Sequence, residues 1–192
     1  MAIKKGNLKR VTKPRFWGER ESQISEELKE MIFEQYLSYD SLACYCDCSV
    51  SRDLSQMACA CTYVGNGSII VKQQYAYPPK DCVDKPIYGE LKALIFALTN
   101  FEKYMMPGCE KVTVYSDVDD IEGFLHNKIT FKRNASLKKL QSELILLYQR
   151  IQKMHPNIRI DVRYLQPFEK VNNPFHRSSH NAVKRMLNNR AK

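Results

Sequence analysis

The sequence predicts an α/β fold: a mixed five-stranded sheet, three antiparallel strands followed by parallel additions, flanked by helices. Two observations predict it. The stretches LACYCDCSV, QMACACTYV and SIIVKQQYAY follow one another with strand-like alternation. Gly65-Asn66-Gly67 joins the last two, and these residues tolerate the positive φ of a tight hairpin turn. After them, helical patterns alternate with the β-branched stretches KVTVYSD and IRIDVRYL. Helical crossovers return a chain parallel to an earlier strand, so the order βββαβαβα gives a mixed sheet.

Residues 1–22 begin the chain with Lys4, Lys5, Lys9, Arg10, Lys13 and Arg15 and no acidic residue before Glu19, which reads as a flexible basic arm. Over 23–39, Ile24, Leu28, Ile32 and Tyr36 recur at helical spacing, with Ser25 placed as an N-cap and acidic residues in the first turn. This predicts a helix packing on the domain that occupies 40–192. Leu91, Leu94, Ile95 and Leu98 predict a buried helix after the loop YPPKDCVDKP. IEGFL is a short helix, which Asp119 and Asp120 are placed to cap, and HNKITFKRN is a polar, basic connection. Leu137, Leu140, Leu144, Leu147 and Ile151 form the core stripe of a longer helix ending before Pro156, and HNAVKRML closes the domain as a final helix.

At 192 residues, 44% hydrophobic and 27% charged, the chain is long and apolar enough for one packed fold. Thirty Lys and Arg against 21 Asp and Glu give a formal charge of +9, which favours a polyanionic partner such as nucleic acid. No apolar run approaches the length of a membrane span, and the N-terminus has no apolar secretory core, so no membrane role and a cytoplasmic location are expected. Seven cysteines, an odd number, do not resemble a secreted disulfide framework. Cys44, Cys46 and Cys48 fall on one side of the first strand, where Cys59 and Cys61 can join them from its hairpin partner. Alternating strand positions suit core packing better than tetrahedral zinc, whose ligands come from loops.

That leaves Asp47 as the residue of interest in ACYCDCS. Asp47 lies within the first strand, Asp117 ends the strand KVTVYSD, and Glu90 sits one helical turn after Pro86. If the two strands are parallel neighbours, these three carboxylates converge. Clustered carboxylates repel one another, and hard divalent cations relieve them through oxygen ligands, so the cluster predicts bound Mg2+ or Mn2+. Two such ions activate water and stabilise a leaving oxygen in phosphodiester cleavage.

With an Asp in YCDCS, a Glu in GELKALIFAL and an Asp in VYSD, in this order and at these separations, the chain from about Asp40 to Asn189 resembles type 1 ribonuclease H and its retroviral-integrase-like relatives. The resemblance implies a five-stranded sheet flanked by helices. It also implies metal-dependent hydrolysis of the RNA strand in RNA/DNA hybrids, leaving 5′-phosphate and 3′-hydroxyl ends, with Asp47, Glu90 and Asp117 as catalytic metal ligands. The family's pattern closes with an asparagine and an Ala-Asp near the start of the last helix. In HNAVKRML, His180 stands in place of the asparagine and Lys184 in place of the aspartate. His180 is then the substitute ligand, while His176, His180 and Lys184 share one helical stripe if the helix begins early enough. Lys128, Lys132, Arg133, Lys138, Lys139 and Lys184 are the residues expected to contact nucleic acid phosphates. A nucleic-acid-binding module without catalysis, or a nuclease for another polynucleotide, are the alternatives, since fold does not determine substrate.

Overall fold

The structure is a computed structural model that describes residues 14–51 and 56–188. Its sheet has the order β3-β2-β1-β4-β5, built from β1 (Ser41–Val50), β2 (Met57–Gly65), β3 (Ser68–Ala76), β4 (Lys111–Ser116) and β5 (Arg159–Tyr164). β1, β2 and β3 are antiparallel, and β4 and β5 add in parallel on the other side of β1. Asn66 and Gly67 both take positive φ in the β2–β3 turn, as its residues predict.

Strand alternation divides the core in two. Cys44 and Cys46 of β1, with Cys59 and Cys61 of β2, pack against α2 (Pro86–Asn100) and α4 (Ala135–Met154). In the register of β1 and β2, Cys46 lies opposite Cys61 and Cys48 opposite Cys59. The cysteines therefore act as small apolar side chains between sheet and helix, and all seven are free. Leu94 and Leu144, both completely buried here, each contribute about 1.5–3 kcal/mol through the area they remove from water.

The residues of opposite parity in β1 face the other side. Ala43 and Tyr45 pack with Ile24, Leu28 and Ile32 of the α1 segment (α1, Glu26–Leu37) and with Phe175. Ser25 caps α1 by accepting from the Leu28 amide at 3.3 Å. Next to α1 lies α6 (Pro174–Asn188), which sits on Ala58 and Ala60 through Ala182 and Val183. Small residues on both surfaces bring helix and sheet close. Ser179 uses that proximity: its hydroxyl donates to the Tyr45 carbonyl at 2.7 Å, leaving a lone pair to accept from Thr62 at 2.6 Å.

Of residues 1–22, those numbered 1–13 lie outside the described residues, as do Lys4, Lys5, Lys9, Arg10 and Lys13 with them. Residues 14–22 lie on the domain: Phe16 packs edge-on against Phe175, and the Trp17 indole donates to the Asn172 carbonyl at 2.7 Å. The described residues also form the short α-helices α3 (Ile121–Leu125) and α5 (Pro167–Lys170). Asp120 occupies the N-cap position of α3, but its side chain makes no capping hydrogen bond. Among the described residues, no helix is long and apolar enough to cross a membrane.

Candidate metal centre

Parallel pairing of β1 and β4 sets Tyr45 opposite Tyr115. Asp47 and Asp117 each follow two residues later on the same face, so the register alone brings their carboxylates to one end of the sheet. Asp47 is 4% exposed, and Asp117 lies just beyond the last residue of β4. Ser116 fixes the turn there by accepting from the Val118 amide at 3.2 Å.

α6 supplies the third member. It begins at Pro174, earlier than HNAVKRML suggested, because Asn173 caps it and Pro174 takes the first helical position. The Asn173 Oδ1 accepts from the amides of Phe175 at 3.0 Å and His176 at 3.1 Å. This places His176 in the first turn, 6% exposed, with its Nε2 3.8 Å from Asp117 Oδ1. One ligand atom each from Asp47, Asp117 and His176 lie within 4.8 Å of one another, the one such group among the described residues. The His176 Nε2 is buried and has no hydrogen-bond partner. A buried nitrogen left bare beside two carboxylates is what a site built for a cation presents. The donor set of two carboxylates and an imidazole fits a divalent metal ion.

His180, one turn further along α6, is also at this end of the sheet. Its Nδ1 is 3.0 Å from Asp47 Oδ2, and its side chain is 42% exposed. Thus His176 is the histidine inside the carboxylate group, whereas His180 braces Asp47 from the rim. Lys184, next on the stripe, is exposed. Asn173-Pro174 was the readable signal for the earlier helix start that brings His176 in.

Glu90 approaches from α2. The helix comes so near β1 that a Cβ at Gly89 would stand 2.2 Å from Cys48 Sγ. Glu90 is not within the 4.8 Å group, but burial first, then the charges of Asp47 and Asp117, push its carboxyl up to about 9. Without a cation it therefore holds a proton at neutral pH. Asp117 behaves oppositely. Burial works to raise it, but His176 and Lys170 hold it below the usual carboxylate range. Lys170, which no sequence pattern singles out, places its Nζ 2.5 Å from Asp117 Oδ2.

The basic residues expected at a nucleic acid surface are all exposed, Lys128, Lys132 and Arg133 in the connection after α3 and Lys138 and Lys139 near the start of α4.

The sequence matches no family profile and no curated protein. Solved structures do match. Ribonuclease H1 from the halophilic archaeon Halobacterium salinarum NRC-1 superposes with a TM-score of 0.53 at 12% identity, over 76% of this chain and 98% of that one. LC11 ribonuclease H1 in complex with an RNA/DNA hybrid gives 0.53 at 14% identity, over 76% and 99%. A second structure of the LC11 enzyme, which was isolated from compost, gives 0.52 at 15% identity, over 77% and 99%. The fold is that of type 1 ribonuclease H. On this ribonuclease H fold, the mixed five-stranded sheet, with three antiparallel strands, parallel additions and flanking helices, is the one the sequence predicts.

Proposed function

We propose that the chain is a metal-dependent nuclease that hydrolyses the RNA strand of RNA/DNA hybrids. The observation that carries the reading is the bare, buried His176 Nε2 grouped with Asp47 and Asp117 at the strand ends of a ribonuclease H fold. The complex of LC11 ribonuclease H1 with a hybrid supports the substrate class.

Asp47, Asp117 and His176 would hold Mg2+ or Mn2+, with Glu90 joining them once its proton is lost. An imidazole among carboxylates favours Mn2+ more than an all-oxygen site does. When bound, the ion supplies the positive charge that activates water and stabilises the departing 3′-oxygen. His180 orients Asp47 through the contact at Oδ2. Asn173 orients His176 by anchoring its backbone. Lys128, Lys132, Arg133, Lys138 and Lys139 suit phosphate contacts along an A-like duplex, which is recognised by backbone and 2′-hydroxyls more than by sequence. Lys184 extends the α6 stripe outward from the centre as a further phosphate contact. Seven free cysteines suit a reducing compartment such as the cytoplasm.

A labelled RNA/DNA hybrid incubated with Mg2+, Mn2+ or EDTA tests the reading, with duplex RNA and branched DNA alongside. Cutting confined to the RNA strand and abolished by EDTA is the expected result. The ion pair on Asp117 favours the second reading, a binding module, which predicts salt-sensitive hybrid binding that EDTA leaves unchanged and no cutting.

A further inference from the structure

Lys170 differs from an ordinary surface lysine in how it is held. Tyr45 and Tyr115, two residues before Asp47 and Asp117, stack with ring centroids 4.4 Å apart. The Arg163 guanidinium lies over Tyr115 at 4.7 Å and pairs with the buried Glu169. Glu169 also accepts from the Gln166 amide at 3.0 Å, closing the start of α5. The Lys170 amide then bonds the Gln166 carbonyl at 3.0 Å, and Trp17 grips the chain at Asn172. The two strands that carry the carboxylates thus also carry the support that aims Lys170 at Asp117.

Charge balance gives the arrangement a meaning. A centre of four carboxylates matches two divalent ions. Here a histidine stands in the group where a further carboxylate would add charge, and an ammonium sits on Asp117. With Glu90 ionised, Asp47, Glu90 and Asp117 less Lys170 leave the charge of one divalent ion to be met. The ammonium is in direct contact with Asp117, the carboxylate that closes the group with His176. Its side chain is 43% exposed, open to a bound polynucleotide.

We propose that Lys170 is a catalytic residue of this centre, its ammonium taking beside Asp117 the place of a second divalent ion and contacting the scissile phosphate. The proposal rests on the nuclease reading above. Lys170 is a permanent part of the centre, and its compact charge on a flexible stem can follow the phosphate as negative charge develops there.

The test compares the full chain with Lys170→Met and Lys170→Arg in two measurements: Mn2+ titration followed by the free-ion paramagnetic resonance signal, and hybrid cleavage at saturating Mn2+. Removing the competing ammonium in Lys170→Met tightens Mn2+ binding several-fold, yet cleavage falls about 100-fold or more, the usual loss for a group acting on developing charge. Lys170→Arg keeps the cation and retains most of the rate. Cleavage by Lys170→Met at the wild-type rate or faster would show a mere placeholder and overturn the proposal. Unchanged Mn2+ affinity in Lys170→Met would overturn it too, by separating Lys170 from the ion. A wild-type protein that cuts no hybrid but shows the affinity change would refute the nuclease reading and remove the catalytic role, leaving only Lys170's place beside the ion.

Discussion

Gly89 faces Cys48 so closely that any Cβ there would fall 2.2 Å from the cysteine sulfur and 3.3 Å from its Cβ. This contact lets α2 lie against β1 and carries Glu90 to the carboxylates.

Gly89→Ala is therefore expected to destabilise the protein by about 1–3 kcal/mol through overpacking. It should also weaken Mn2+ binding, because α2 must move away with Glu90. Cys48→Ala removes the sulfur, so the double variant should recover much of the loss in a denaturant titration. Equal stability of Gly89→Ala and the wild type would contradict the close approach.

Glu90 makes stability depend on pH in the sense opposite to most carboxylates. Its carboxyl ionises near 4.5 in the unfolded chain but only at about 9 in the fold, held up by burial and by Asp47 and Asp117. Between those values the folded state keeps a proton that the unfolded state has lost, so stability falls as pH rises through the window. In EDTA, Glu90→Gln should flatten that decline and melt higher than the wild type at pH 8.5, with little difference near pH 4.5. Parallel melting curves of the two proteins across this range would refute the assignment.

Trp17 binds the Asn172 carbonyl next to the residue that caps α6. Trp17→Phe keeps an aromatic ring but loses the donor, at a cost of about 0.5–1.5 kcal/mol. Hydrogen exchange should quicken at the Phe175 and His176 amides and not in the β1–β2 ladder. Uniform exchange rates would show that the segment does not brace the centre.

The difference between what was readable and what was not has a physical basis. Asp47 and Asp117 were legible because strand alternation and parallel pairing are local, periodic signals, and the register converts them directly into proximity. The cysteine alternation was legible as core for the same reason. His176 and Lys170 were not, because their placement depends on long-range support. α5 has four residues, too short for a periodic pattern, and is held by Glu169 reaching Arg163 on β5. Phe16 and Trp17 sit within a basic stretch whose charges obscure the aromatic contacts with Phe175 and Asn172. The start of α6 had a local signal in Asn173-Pro174, and a helix taken from that cap moves the inward histidine from His180 to His176.

In the proposed nuclease, Asp47 belongs to the metal centre that cuts the polynucleotide. The most direct test is hybrid cleavage in Mg2+ and Mn2+ by Asp47→Asn beside the wild type, with hybrid binding measured at several salt concentrations. The change keeps the side chain's shape and removes the charge. Cleavage should fall about 100-fold or more, while salt-sensitive binding persists because the phosphate contacts lie elsewhere. Cleavage by Asp47→Asn at the wild-type rate would place Asp47 outside the cutting centre.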